Sequence, residues 1–218
     1  MSVEGLNLLV NITKEVKMKY LNNKSNSYAI FGVLTLASTI ADAHTGHATT
    51  NLFEGLRHPL GLDHLLAMLA VGIWSVSALP AKQAWWGPAI FMISLTVSAT
   101  LGTMGVTVPY LEQLVSLSVV IFGVMLVALQ GRWSPGFGLG LVGLAASLHG
   151  LAHGIEAPSN GFSSYVGGFL LTTAVLHFGG VLVGIIIRRR LEANHATWVL
   201  SGLGALIGGA GLHAFMQV

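Results

Sequence analysis

Cysteine is absent from the 218 residues, and charged residues make up only 8% of them. Without cysteine the chain can hold no disulfide, no iron–sulfur cluster and no thiolate metal site. Soluble domains carry about 25% charged residues, so this scarcity of charge excludes an ordinary soluble domain. The sequence pI near 9.1 does not indicate a nucleic-acid partner, because the basic residues stand in short segments beside apolar runs.

Apolar residues supply 53% of the chain, and the mean hydropathy is +0.74. These values predict an all-α, polytopic membrane protein whose solvent is the lipid bilayer. Six apolar stretches are each long enough to cross a hydrocarbon core of about 30 Å. We therefore expect residues 44–218 to form one compact bundle of six transmembrane helices. The predicted spans are 59–79, 85–104, 113–130, 137–156, 163–187 and 197–216.

Residues 1–43 have the pattern of a cleavable signal peptide. Lysines precede a short apolar run that ends in Ala41-Asp42-Ala43, an A-x-A cleavage pattern. Translation could also begin at Met18, which would leave a more ordinary leader, and an uncleaved anchor helix is the alternative. Cleavage would expose an α-amine beside His44 and His47, which could form a loose chelate for a divalent ion. The alternative is an ordinary polar terminus.

The basic residues predict the orientation of the bundle. With an exported N-terminus, the cytoplasmic loops carry Lys82, Arg132 and the run Arg188-Arg189-Arg190, and the exported side carries Arg57. This distribution follows the positive-inside rule. Because the number of predicted spans is even, both mature termini should face the exported side.

The first candidate metal cluster lies where the first mature span begins. It consists of His58, Asp63 and His64, and ionisable groups in a membrane usually serve a site. On a regular helix the two imidazoles would point about 120° apart, so they can converge only if the proline and glycine between them make the start of the span irregular. Asp63 could bind the ion or fix a histidine tautomer. Met68 could add a soft contact one turn deeper, or simply fill the core.

The second cluster is His149, His153 and Glu156, which share one face of the fourth span at spacings of four and three residues. The predicted topology brings this face to the exported end of its span, the same membrane level as the first cluster. Imidazoles and carboxylates together suit divalent first-row transition metals. The alternative is that the histidines satisfy one another inside a packed bundle.

His177 lies near the middle of the fifth span. It is either a deeper station on a metal path or a hydrogen-bonded interior residue.

Glycine occurs 28 times, and several glycines stand four residues apart. Small residues at this spacing let membrane helices approach closely. We therefore expect them to serve helix packing, and such faces also allow a homo-oligomer. The pairs are Gly150 and Gly154, Gly180 and Gly184, and Gly204 and Gly208.

These motifs resemble those of the HupE/UreJ family of nickel/cobalt permeases, found near hydrogenase and urease genes in bacteria. The likeness covers residues 28–218, including the signal peptide and the six spans. A partial likeness to the larger nickel/cobalt transporter family rests on the first cluster alone. The residues that carry the resemblance are His58-Pro59, Gly61, Asp63-His64 and Ala67-Met68, then His149-Gly150, Ala152-His153-Gly154 and Glu156.

The resemblance implies a secondary transporter of the bacterial inner membrane that imports Ni²⁺ or Co²⁺ for metalloenzyme assembly. The residues alone indicate only a divalent metal passing inward, and Zn²⁺ would also suit them. The ion is then cargo, and no tightly bound cofactor and no catalysis are expected. One alternative is an intramembrane zinc hydrolase, in which three ligands and a carboxylate activate water. Another is a metal sensor or chaperone that binds without transport.

Overall fold

The computed structural model describes residues 51–128, 134–158 and 161–218 of the chain. The predicted signal peptide, His44, His47 and Arg132 lie outside these ranges. Every regular element in the described ranges is helical, as the apolar composition predicts. The seven α-helices are α1 (Asn51–Arg57), α2 (Leu62–Ala78), α3 (Trp86–Thr103), α4 (Leu111–Ala128), α5 (Pro135–Glu156), α6 (Phe162–Arg190) and α7 (Ala193–Phe215). Short 3₁₀ turns occupy His58–Leu60 and Ala81–Gln83.

Each of the six predicted spans coincides with one of the helices α2 to α7. Four helices in the described ranges are long and apolar enough to cross a membrane, namely α3 with its preceding turn, α5, α6 and α7. A fifth span results if α1 and α2, which meet at a bend of 72°, are taken together. The apolar part of α4 is shorter, Leu111–Val127. The chain is thus a multi-helix membrane protein with four to five candidate spans among the described residues, and the number of six spans remains a prediction.

Two details differ from the sequence prediction. The three arginines Arg188-Arg189-Arg190 form the last turn of α6 instead of a loop, and cations are favourable there because they face the negative end of the helix dipole. His195, expected from the sequence to be an ordinary cytoplasmic loop residue, lies instead in the first turn of α7, where it is exposed.

Glycines bring the helices into backbone contact, as the four-residue spacing predicts. A Cβ atom added to Gly150 would collide with the Leu95 carbonyl of α3. One added to Gly180 would lie 2.5 Å from the carbonyl oxygen of Leu69, and one added to Gly204 would lie 2.6 Å from that of Gly123. The packing role of these glycines within one chain is therefore confirmed. It pairs α3 with α5, α2 with α6, and α4 with α7.

The buried interior combines an apolar core with a few polar side chains. The buried serines are largely satisfied by carbonyls of their own helices. For example, the Ser75 hydroxyl donates to the carbonyl of Val71 at 2.8 Å. Each of the three buried histidines, in contrast, has at least one ring nitrogen without a hydrogen-bond partner in the described ranges. They are His149, His153 and His177.

Candidate metal site

The start of α2 is irregular, and this irregularity folds His58 back over the helix. A 3₁₀ turn covers His58–Leu60, Gly61 is extended with ψ of 140°, and the regular helix begins at Leu62. The ring centroids of His58 and His64 are consequently 5.9 Å apart. The irregular start that the convergence of the two imidazoles requires is therefore present at Pro59 and Gly61. Because the helix begins after Gly61 and not at residue 59, where the predicted span starts, Asp63 and His64 lie in its first turn.

The second cluster comes to the same end of the bundle. The His153 ring centroid lies 4.5 Å from that of His58 and 4.4 Å from that of His64, and the His149 centroid lies 4.9 Å from that of His64. The structure thus joins residues that are about 90 positions apart in sequence. We call this end of the bundle the outer end.

Three imidazoles form a group with the spacing of a metal site. His58, His64 and His153 each offer one nitrogen, and these nitrogens all lie within 4.8 Å of one another. Metal–nitrogen bonds are about 2.1 Å long, so small side-chain movements of about 1 Å would let one ion touch all three nitrogens. We call these three residues the outer site.

Two carboxylates supply negative charge beside the outer site. The Asp63 carboxylate lies 2.7 Å from Nδ1 of His64, and the Glu156 carboxylate lies 3.6 Å from Nε2 of His58. Glu156 ends α5 and is 47% exposed at its side chain, whereas the side chain of Asp63 is 33% exposed. Both charges can therefore offset those of an arriving dication while remaining in contact with water.

Several buried ring nitrogens at the outer end lack a hydrogen-bond partner in the described part of the chain. They are Nε2 of His64, Nδ1 of His149 and both ring nitrogens of His153. A buried polar group without a partner typically costs about 1–3 kcal/mol. The alternative that these histidines satisfy one another does not fit this arrangement. An ion bound to the lone pair of a neutral imidazole would satisfy one nitrogen of that ring.

Ser118 of α4 fixes the tautomer of His149. The Ser118 hydroxyl lies 2.6 Å from the carbonyl oxygen of Val115 and 2.9 Å from Nε2 of His149. Its single proton goes to the carbonyl, which can only accept, so the hydroxyl oxygen accepts the Nε2–H of His149. The unpartnered Nδ1 of His149 then carries a lone pair, which makes it a ready metal ligand.

A comparison with known protein families identifies the family of the chain that carries this site. The sequence model described as "HupE / UreJ protein" matches residues 32–214. The chain belongs to the HupE/UreJ family. Protein HupE of Rhizobium leguminosarum bv. viciae is 36% identical over 176 residues, which are 80% of this chain and 90% of the relative. No solved structure matches the chain.

In this HupE/UreJ protein a small cavity adjoins the outer site. It has a volume of about 60 Å³ and lies among α3, α5 and α6, where His153, Tyr165 and Phe169 contribute to its wall. Most of the cavity wall is apolar, and the imidazole of His153 and the phenol of Tyr165 are among its few polar groups.

The remaining predicted ligands lie away from the three-histidine group. Met68 is fully buried in the hydrophobic core one turn after His64, and its soft contact to a metal remains a prediction. His177 is buried in α6, where its ring packs against Phe91 at 4.7 Å.

Sequence reasoning missed Ser118, Tyr165 and Phe169. The ring of Phe169 lies 4.5 Å from that of His153, and that of Tyr165 lies 5.9 Å from that of His58. A serine inside an apolar span is a weak signal that could have drawn attention to Ser118. The two aromatic residues carry no such signal, because aromatic side chains are common in membrane helices.

Proposed function

We propose that this protein is a secondary transporter that imports a divalent transition metal, Ni²⁺ or Co²⁺, from the exported face of the bacterial inner membrane. The observation that carries the proposal is the convergence of three imidazoles, those of His58, His64 and His153, at one end of a helical bundle. Among these residues, His64 and His153 have buried ring nitrogens without a hydrogen-bond partner in the described ranges. The membership of the HupE/UreJ family supports it.

The geometry suggests the order of events. A hydrated ion meets Glu156 and Asp63, which are partly exposed, and then exchanges waters for the imidazoles of the outer site. His149 lies four residues before His153 on α5, about 6 Å deeper along the helix, and offers the next lone pair. Rearrangement of the helices then releases the ion inward, as in secondary transporters. The sequence has no ATP-binding motif to power this step.

Uptake of radiolabelled nickel and cobalt into vesicles that hold only this protein tests the proposal. Zinc, copper and manganese serve as competitors and establish the metal preference. Uptake should be lost when His58, Asp63, His64 or His153 is replaced singly by alanine. His213→Ala is the matched control, because His213 lies near the same end of the bundle but is exposed and contacts Gln217 at 3.1 Å.

The same purified protein also distinguishes transport from the two alternative functions, the zinc hydrolase and the metal sensor. Stoichiometric metal retained through purification without flux would favour the zinc hydrolase or the sensor and would contradict transport. Normal uptake by correctly inserted variants of the outer site, at limiting metal, would show that these histidines do not hold the ion.

A further inference from the structure

One buried imidazole lies well below the outer site. His177 is 2% exposed and stands eight residues after Phe169, whose ring packs against His153. At 1.5 Å per residue, His177 is about 12 Å deeper along α6. The opposite end of this helix carries Arg188, whose guanidinium donates to the carbonyl of Val76. His177 therefore lies between the outer site and the predicted cytoplasmic end.

A hydrogen bond fixes the tautomer of His177 and leaves a lone pair on its other ring nitrogen, inside the protein. Nδ1 of His177 lies 2.8 Å from the carbonyl oxygen of Thr173. A carbonyl can only accept, so Nδ1 carries the proton and Nε2 carries the lone pair. Nε2 is buried and has no hydrogen-bond partner in the described ranges, and the same holds for the hydroxyl oxygen of Thr173. The two residues are one turn apart and share a helix face.

The unpartnered groups of His177 and Thr173 make the folded state less stable than apolar side chains at these positions would. An unpartnered buried group typically costs about 1–3 kcal/mol, which an apolar side chain of similar size would avoid. The Thr173 carbonyl also accepts the backbone N–H of residue 177 within the regular helix, so the fold does not need the imidazole to satisfy it.

One aromatic side chain, that of Phe91, packs against both His177 and His149, which lies at the outer end. The Phe91 ring of α3 lies 6.0 Å from the ring of His149 and 4.7 Å from that of His177. Both histidines thus pack on one side chain, and each has one nitrogen fixed by a hydrogen bond and one with a lone pair.

We propose that Nε2 of His177 and the hydroxyl of Thr173 form an inner binding station for the same divalent cation, used after the outer site and reached past His149. This proposal rests on the proposed transport function. Imidazole suits nickel and neighbouring transition metals. One imidazole, one hydroxyl and retained water would bind weakly, which a conducting path requires for release.

His177→Asn tests the station directly. The shorter amide can still donate to the Thr173 carbonyl but presents no ligand atom at the position of Nε2. In reconstituted full-length protein, maximal nickel uptake should fall at least about tenfold, as for the loss of a metal-site group. Equilibrium nickel binding at the outer site should change by less than about twofold, because distant sites act almost independently. Thr173→Val, which removes only the hydroxyl, should lower maximal uptake in the same direction.

The outcomes separate this proposal from the function on which it rests. Wild-type uptake by His177→Asn, with uptake abolished by His153→Ala, would overturn the inner station alone. An equal loss of equilibrium binding and uptake in His177→Asn would also overturn it, because the residue would then act through the fold. Absence of nickel uptake by the wild-type protein would overturn both proposals together.

Discussion

The buried histidines differ in what holds their second ring nitrogen. A serine hydroxyl accepts from His149, a backbone carbonyl accepts from His177, and His64 lies against the carboxylate of Asp63. Metal-binding histidines usually have such an outer partner, which fixes the ring and its tautomer. In His64, His149 and His177 an outer partner of this kind leaves the other ring nitrogen available to an ion, whereas neither ring nitrogen of His153 has such a partner in the described ranges.

Ser118→Ala tests this positioning role. The variant leaves Nε2 of His149 without its acceptor, so the ring can turn or change tautomer. We expect nickel affinity to fall about tenfold, the lower range for loss of an outer partner, with the helical content unchanged. Ser75→Ala is the matched control, because Ser75 is equally buried and likewise donates to a carbonyl of its own helix, whereas the contact with Nε2 of His149 belongs to Ser118. An equal effect of both substitutions on equilibrium nickel binding would contradict the role of Ser118.

The helices were predictable because an apolar stretch long enough to span a bilayer has few other structures open to it. The bend before α2 was predictable from Pro59 and Gly61, since proline and glycine interrupt a regular helix start. The contact between His64 and His153 could not be predicted from such local sequence patterns. It depends on which helix faces pack together, and these are selected by small residues distributed over the whole chain. The fine placement of Glu156 and Ser118 depends on the same packing.

Gly150→Ala tests how the α3–α5 contact places the site. Its new methyl would collide with the Leu95 carbonyl and the Ser98 hydroxyl and lie 3.0 Å from the backbone nitrogen of Ala99. Overpacking of this kind costs typically 1–3 kcal/mol, so the melting temperature and nickel binding should both fall, because Gly150 adjoins His149 in α5.

Gly140→Ala is the control on the same helix, because a Cβ there meets nothing within 4 Å. It should leave thermal unfolding and nickel binding unchanged, or raise stability slightly through its better helix propensity. A loss of nickel binding in Gly140→Ala as large as that in Gly150→Ala would contradict the packing argument.

For the whole molecule, the position of the outer site predicts which loops face which side. The loop between α3 and α4 adjoins the outer end, and the segment between α2 and α3 adjoins the end that carries the α6 arginines. Since the chain has no cysteine, single cysteines report orientation directly. A membrane-impermeant thiol reagent added outside intact cells should label Thr107→Cys but not Lys82→Cys, both of which are exposed positions. The reverse pattern would overturn the predicted import direction.

The dependence of metal binding on external pH follows from the whole ligand set. Metal binds neutral imidazole, and the unperturbed pKa of histidine is about 6.5, so protons compete with the ion at every histidine of the path. Equilibrium nickel binding should therefore weaken as the pH falls through roughly 6 to 5.

A proton-coupled importer would show the opposite trend in the rate of uptake, because acid outside increases the inward proton gradient. Equilibrium binding and flux must therefore be measured separately. Binding that stays flat from about pH 7 to 5 would contradict competition between protons and the ion at the three histidines of the outer site.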